Sequence, residues 1–172
     1  MEYTYHYTSP LGGIVMSSDG EFLTGLRFIG QRFFPDSLKA ESQNTDLPVF
    51  MQTAKWLDIY FDGIIPDFTP PLKMNTSPFR KTVWEIMLEI PHGKTMTYGE
   101  IAKIIAKKTG VEKMSAQAVG GAVGHNDFAI IVPCHRVVGS GGNLTGYGGG
   151  MDKKIALLTL EKVDMSNFFV PR

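Results

Sequence analysis

The chain contains a single cysteine, and its neighbours are those a nucleophile needs. Cys134 follows Pro133 and precedes His135 and Arg136 within the run IVPCHRVV, Ile131 to Val138. A thiol attacks as its thiolate, and nearby imidazole or cationic groups favour that form. In an arbitrary chain a lone cysteine is more often a small buried hydrophobe; a core cysteine, however, has no need of these neighbours. The preceding apolar run, Phe128 to Val132, suits a buried strand. Were that strand to continue, Cys134 and His135 would point to opposite faces, so their cooperation requires a turn near Pro133. The following segment GSGGNLTGYGGG, Gly139 to Gly150, reads as a loop lining a pocket, with its backbone amides available as donors. It lacks the Lys-Ser/Thr of a P-loop and does not match a dinucleotide fingerprint in context. One cysteine with His6, His92, His125 and His135 offers no paired-ligand spacing, so no metal site is expected.

The elements that must position these residues fall into two parts, residues 1–76 and 77–172. In the first, YTYHYTS alternates as a strand does, and Gly13 to Ser18 forms a second run ending at the hairpin signal Asp19-Gly20. Phe22 to Phe28 returns as a third strand. A helix begins at Leu47-Pro48 with Phe50, Ala54, Leu57 and Phe61 on one face, and ends at Asp62-Gly63. Pro66, Pro70 and Pro71 mark the boundary.

The second part is mostly helical. Ser77-Pro78 caps a helix with the stripe Phe79, Val83, Ile86, Met87 and Ile90. Thr97 to Glu100 has capping-box spacing before a helix that buries Ile101, Ile104 and Ile105. Ser115 caps a third helix, Ala116 to Gly124, completing a helix-turn-helix pattern. That third helix, AQAVGGAVG, carries almost no side-chain bulk, so its backbone can come close to whatever it faces. Glycine costs about 1 kcal/mol per residue relative to alanine in a helix, so close approach must offset a real cost. Tight packing on another helix is one explanation, and entry into the minor groove of DNA is another. Asp152 to Val163 forms a last helix with Ile155, Leu158 and Val163 inward and Glu161 near its end.

Composition narrows the class. The 172 residues carry no net charge and are 43% hydrophobic, enough for one large or two small cores. Residues 1–75 are net −4 and residues 76–172 net +4, which favours a polyanionic partner for the second part. With one cysteine no internal disulfide can form. The N-terminus lacks a signal-peptide pattern and no apolar run is long enough to cross a bilayer. A soluble intracellular protein is expected, cytoplasmic or, in a eukaryote, nuclear.

In TYGEIA (Thr97 to Ala102), SAQAVGGAVGHN (Ser115 to Asn126), IVPCHRVVG (Ile131 to Gly139), LTGYGGG (Leu144 to Gly150) and the trailing helix with Glu161, the chain resembles the O6-alkylguanine-DNA alkyltransferases, also called methylated-DNA–protein-cysteine methyltransferases. The segment SPLGGIVMSSDG, Ser9 to Gly20, resembles the family's N-terminal domain more weakly. The resemblance implies an α/β ribonuclease-H-like N-terminal domain followed by a mostly α winged-helix, helix-turn-helix C-terminal domain. It implies that Ser115, Ala116, Gln117, Ala118 and Gly121 lie against double-stranded DNA containing O6-alkylguanine, and that the damaged base is flipped out. Cys134 would take the alkyl group once, as a stable thioether. His135 would accept the thiol proton through a water, Glu161 would orient the imidazole, and Asn126 would support this network. Tyr98 would protonate N3 of the leaving guanine, and the backbone at Cys134, Val137 and Gly148, beside Tyr147, would read the base edge. No cofactor, metal or membrane is implied, and a monomer suffices.

The chain departs from the family's pattern in places. Gln117 stands where many members carry an arginine that fills the space left by the flipped base; glutamine lacks that charge and reach. Asp127 stands where a proline is common, and Gly148 lacks a hydroxyl some members offer to O6. Arg136 reads as a structural ion-pair partner rather than a DNA contact. Two rival functions stay open: a non-catalytic binder of alkylated DNA, against which Cys134 argues, and a cysteine hydrolase, which would need an oxyanion hole and turnover.

Overall fold

A computed structural model describes residues 2–35, 46–144, 146–147 and 150–170. The chain divides into two compact units, one of residues 1–75 with 127–129, the other of 76–126 with 130–172.

The first unit is built on an antiparallel sheet, β1 (Tyr3–Ser9), β2 (Gly12–Ser18) and β3 (Leu23–Phe28), in that spatial order. The β2–β3 turn is held by Asp19, whose carboxylate accepts from the amides of Glu21 and Phe22 at 3.0 and 2.9 Å. Central strand β2 is buried on both faces from Ile14 to Ser18. Helix α1 (Pro48–Phe61) packs on the sheet, with the Tyr5 and Phe50 rings 5.6 Å apart and the Tyr7 hydroxyl donating to Asp58 at 2.6 Å. Its buried stripe is Val49, Phe50, Thr53, Trp56, Leu57 and Tyr60. The expected face through Ala54 and Phe61 is therefore rotated; both are only partly buried. Thr53 explains the misphasing, because its hydroxyl donates to the Val49 carbonyl at 2.7 Å and is thereby satisfied in the core.

The detached piece of this unit replaces an expected strand. Phe128 forms a single bridge to Leu26 of β3, with Leu26 N–H donating to the Asp127 carbonyl (2.8 Å) and Ala129 N–H donating back to Leu26 (2.9 Å). The Arg27–Asp127 ion pair at 2.9 Å lies beside it. The chain then turns rather than extending, and Phe128–Val132 is no strand. A short apolar run does not itself distinguish a strand from a buried turn.

In the second unit, α2 (Pro78–Leu88) starts at Ser77, whose hydroxyl accepts from Arg80 N–H. Trp84 of α2 is fully buried and donates its indole N–H to the Ala122 carbonyl at 2.9 Å, fixing α2 against α4 (Ala116–Gly124). Helix α3 (Tyr98–Thr109) has both halves of its capping box, Glu100 N–H to Thr97 Oγ1 at 3.0 Å and Thr97 N–H to Glu100 at 3.2 Å. It ends on Gly110, whose φ of 74° is the left-handed conformation that glycine adopts freely. Ile101, Ala102 and Ile105 form its buried face, Ile104 lying at the edge. Two short strands, β4 (Met96–Thr97) and β5 (Val137–Val138), pair in parallel with Met96 opposite Val137. Helix α5 (Met151–Leu160) closes the unit, its Leu158 packing with Val138 and Leu144 under Met165 and Phe168. Among the described residues no helix is long and apolar enough to cross a membrane.

The Thr97 cap fixes where Tyr98 begins α3. Replacing Thr97 by alanine strips the cap from the Glu100 amide and should cost about 1 kcal/mol, read as a lowered urea midpoint with unchanged m-value. An unchanged midpoint would show that the β4–β5 pairing alone holds this helix start.

Candidate active site

Three features deliver Cys134. After Phe128 the chain turns through Ile130, which has φ 71°, a conformation strained for a β-branched residue. Such strain costs about 1–3 kcal/mol and persists only where the surroundings impose it. Here Ile130 is buried and the Asn126 amide donates to the Val132 carbonyl at 2.8 Å, stapling the turn shut. Pro133 then leads into a 3-10 turn, Cys134–Arg136, with Arg136 N–H bonded to the Pro133 carbonyl at 2.9 Å. The turn demanded by the residue pattern is present, and it presents a partly exposed Cys134 next to a fully buried His135.

The thiol's surroundings push in opposite directions. Burial raises its pKa; hydrogen bonding with Asn126, the positive charge of Lys154 and hydrogen bonding with Tyr147 pull it back, with burial prevailing. Lys154 is itself fully buried in α5, donates to the Val137 carbonyl at 2.7 Å, and is lowered by burial to about 8. Nothing in the residue pattern singled it out, because a lysine in an amphipathic helix is ordinarily read as solvated. The available signal was register: Lys154 lies three residues after Met151 and four before Leu158, on the inward stripe.

Behind the thiol lies a saturated carboxylate. Glu161, the residue after α5, accepts from His135 Nε2 at 2.5 Å, from Arg136 Nε and Nη2 at 2.8 and 3.1 Å, and from Gly93 N–H at 3.0 Å. Four donors use the full capacity of its two oxygens. Burial alone would raise its pKa, but the hydrogen bonds and charges of His135 and Arg136 outweigh that and hold it well below the carboxylate range. Arg136 also donates from Nη1 to the Ile90 carbonyl at 2.7 Å, so it is the structural ion-pair partner expected. Burial lowers the His135 pKa, against the pull of Glu161. Its Nδ1 is buried and takes no partner among the described residues. Cys134 and His135 share no direct hydrogen bond, so any proton path between them is indirect.

The other expected residues divide into two groups. Tyr98 lies against the glycine loop: its ring is 3.9 Å from where a methyl on Gly120 would stand, and its hydroxyl 3.9 Å from the equivalent point on Gly146, the residue before Tyr147. The β4–β5 register brings it there, since Thr97 pairs with Val138. The Val137 carbonyl is engaged by Lys154 and keeps one lone pair for a ligand. Gly148 lies outside the described residues. Ser115, Ala116, Gln117, Ala118 and Gly121 form an exposed face of α4, apart from the thiol cluster. Ser115 caps the helix, accepting from the amides of Gln117 and Ala118 at 3.1 and 3.3 Å. Internal packing does not explain Gly121, because a methyl there would meet nothing within 4 Å. Among the described residues no cluster of three or more His, Cys, Asp or Glu could hold a metal ion.

Comparison with known proteins adds independent findings. A family model described as the DNA binding domain of 6-O-methylguanine DNA methyltransferase matches residues 78–163, and one for its ribonuclease-like domain matches residues 1–74. A methylated-DNA–protein-cysteine methyltransferase of Mycobacterium tuberculosis H37Rv is 42% identical over 90% of this chain and 88% of its own. The protein of that name from Haemophilus influenzae is 41% identical over 94% and 86%. A crystal structure of M. tuberculosis OGT in complex with DNA superposes with a TM-score of 0.80 at 41% identity, covering 93% of both chains.

Glu161→Gln leaves Arg136 buried without its counter-charge, a change expected to cost about 3–5 kcal/mol. In the parent protein the folded-state carboxyl is depressed, so its contribution is complete above the unfolded value of about 4.3 and is lost as pH falls below it. Urea melts across that acid range, with and without the substitution, should converge as pH falls. Parallel curves would remove Glu161 from the source of acid sensitivity.

Proposed function

The chain belongs to the 6-O-methylguanine DNA methyltransferase family, with a ribonuclease-like N-terminal domain and a DNA-binding C-terminal domain, and on that premise we propose how its own residues carry the reaction. The activity is repair of alkylated DNA by transfer of the alkyl group to a cysteine of the protein. Cys134 is the only cysteine in the sequence, so it is the acceptor. The observation that carries the detailed reading is the placing of that thiol among Asn126, Tyr147 and Lys154, at the mouth of a strained turn.

The thiolate of Cys134 attacks the alkyl carbon on guanine O6. The S–C bond forms as the C–O6 bond breaks, and the electron pair passes into the base. Tyr98 donates its phenolic proton to N3, so the departing guanine is neutral. The thiol proton leaves through a water to Nδ1 of His135, the ring nitrogen not engaged by Glu161. The absence of a direct thiol–imidazole bond suits this relay and disfavours a cysteine hydrolase. The ammonium of Lys154 supplies the charge that burial would otherwise deny the thiolate. Because the product is a thioether, each molecule reacts once.

The second unit is read as a winged helix, with α3 and α4 as its helix-turn-helix. The bare face of α4 enters the minor groove, and the damaged base is extruded toward Cys134 at a cost of a few kcal/mol. Gln117 hydrogen-bonds the orphaned partner base. The protein acts as a monomer, in whichever compartment holds its DNA, the cytoplasm or a eukaryotic nucleus.

Intact mass measurement after mixing with an O6-methylguanine duplex should show one added methyl on Cys134 and none in Cys134→Ser. An unmodified parent protein that still binds the lesion would replace this reading by a non-catalytic binder. Lys154→Met should slow transfer at neutral pH roughly tenfold by removing the thiolate's counter-charge; an unchanged single-turnover rate would assign Lys154 to packing alone. Gly121→Ala separates folding from DNA contact. It should stabilise the free protein by about 0.5–1 kcal/mol yet weaken lesion-DNA binding, and equal or tighter binding would remove α4 from the groove.

A further inference from the structure

We propose that the groove between α3 and the turn after it seats the sugar–phosphate backbone of DNA, with Lys103 and Lys113 gripping one phosphate. This rests on the DNA-repair reading and extends it to residues remote from the thiol.

The turn from Gly110 to Ser115 is longer than the three to four residues usual between such helices. Its extra length folds back beside α3, so that Lys113 and Lys103 line one groove of about 300 Å³. The groove has an apolar floor of Ala102, Ala106 and Met114, and it runs to Ala116, the first residue of the bare α4 face. It is thus continuous with the surface assigned to the minor groove. Both lysines are exposed, and neither takes an acidic partner among the described residues. The carboxylate of Glu100, one turn before Lys103, is committed to the Thr97 amide. Glu112 also lines the groove, so the local balance is one positive charge, which matches a single phosphodiester. An apolar floor beside ammonium groups suits a strand in which deoxyribose alternates with phosphate. Lys107, one turn beyond Lys103 on α3, extends the positive field along the same strand. Phosphate contacts position a protein on DNA without reading sequence, and here they supply holding power that Gln117 cannot.

The test is equilibrium binding of the full chain to an O6-methylguanine duplex across a salt series. Each neutralised phosphate adds about 0.9 to the slope of log K against log salt. The double variant K103A/K113A should show a slope shallower by about 1 and binding about tenfold weaker at low salt. The arginine pair K103R/K113R should restore both. Glu112→Gln should tighten binding, and K81A/K94A, outside the groove, should keep the parental slope. An unchanged slope in K103A/K113A would overturn the proposal and leave the groove to a protein or lipid partner. A parent protein that neither binds nor takes methyl from the duplex would instead defeat the underlying repair reading, so the two failures are distinguishable.

Discussion

Buried carboxylates survive only when every lone pair is used, and Glu161 meets that condition through four donors from two other stretches of chain. Gly93 comes from the loop after α2, His135 and Arg136 from the nucleophile turn, and Glu161 itself from the end of α5. Removing any donor exposes the others to a desolvated charge, so the stretches are fixed together rather than independently. Arg136 then carries the network to Ile90. The thiol is positioned as the outermost group of this assembly, and its orientation is inherited from the carboxylate.

The same geometry divides two tasks that a compact Cys-His pair would combine. His135 is wholly buried and oriented by Glu161, whereas Cys134 stands at the protein's edge among Asn126, Tyr147 and Lys154. The imidazole is thereby kept in the interior while the sulfur stays partly exposed. Tyr98 is carried by α3 and placed by the short parallel pairing of β4 with β5. The proposed nucleophile, Cys134, and the proposed proton donor, Tyr98, are held on different elements.

What could be read from the residues follows from the range of the forces involved. Caps at Ser77, Thr97 and Ser115 are local chemistry, and each holds its helix as the pattern implies. The turn at Pro133 was legible because a strand would have separated Cys134 from His135. The run Phe128–Val132 was misread because its geometry is set by a distant partner, Leu26, which no local pattern names. The α1 face was misphased for a related reason: Thr53 satisfies its hydroxyl within its own helix and so counts as core. Lys154 stayed hidden because buried charge is legible only from the thiol and carbonyl it faces.

Ile130 holds a left-handed backbone with a side chain ill suited to it, one turn of chain before the nucleophile. Glycine would relieve that strain and simplify folding, but it would also free the turn to wander. The strained residue thus makes stability and aim competing objectives at a single position. A screen for heat-resistant variants of this chain would be drawn to glycine at 130 and would discard, without assaying it, the stiffness that points the sulfur.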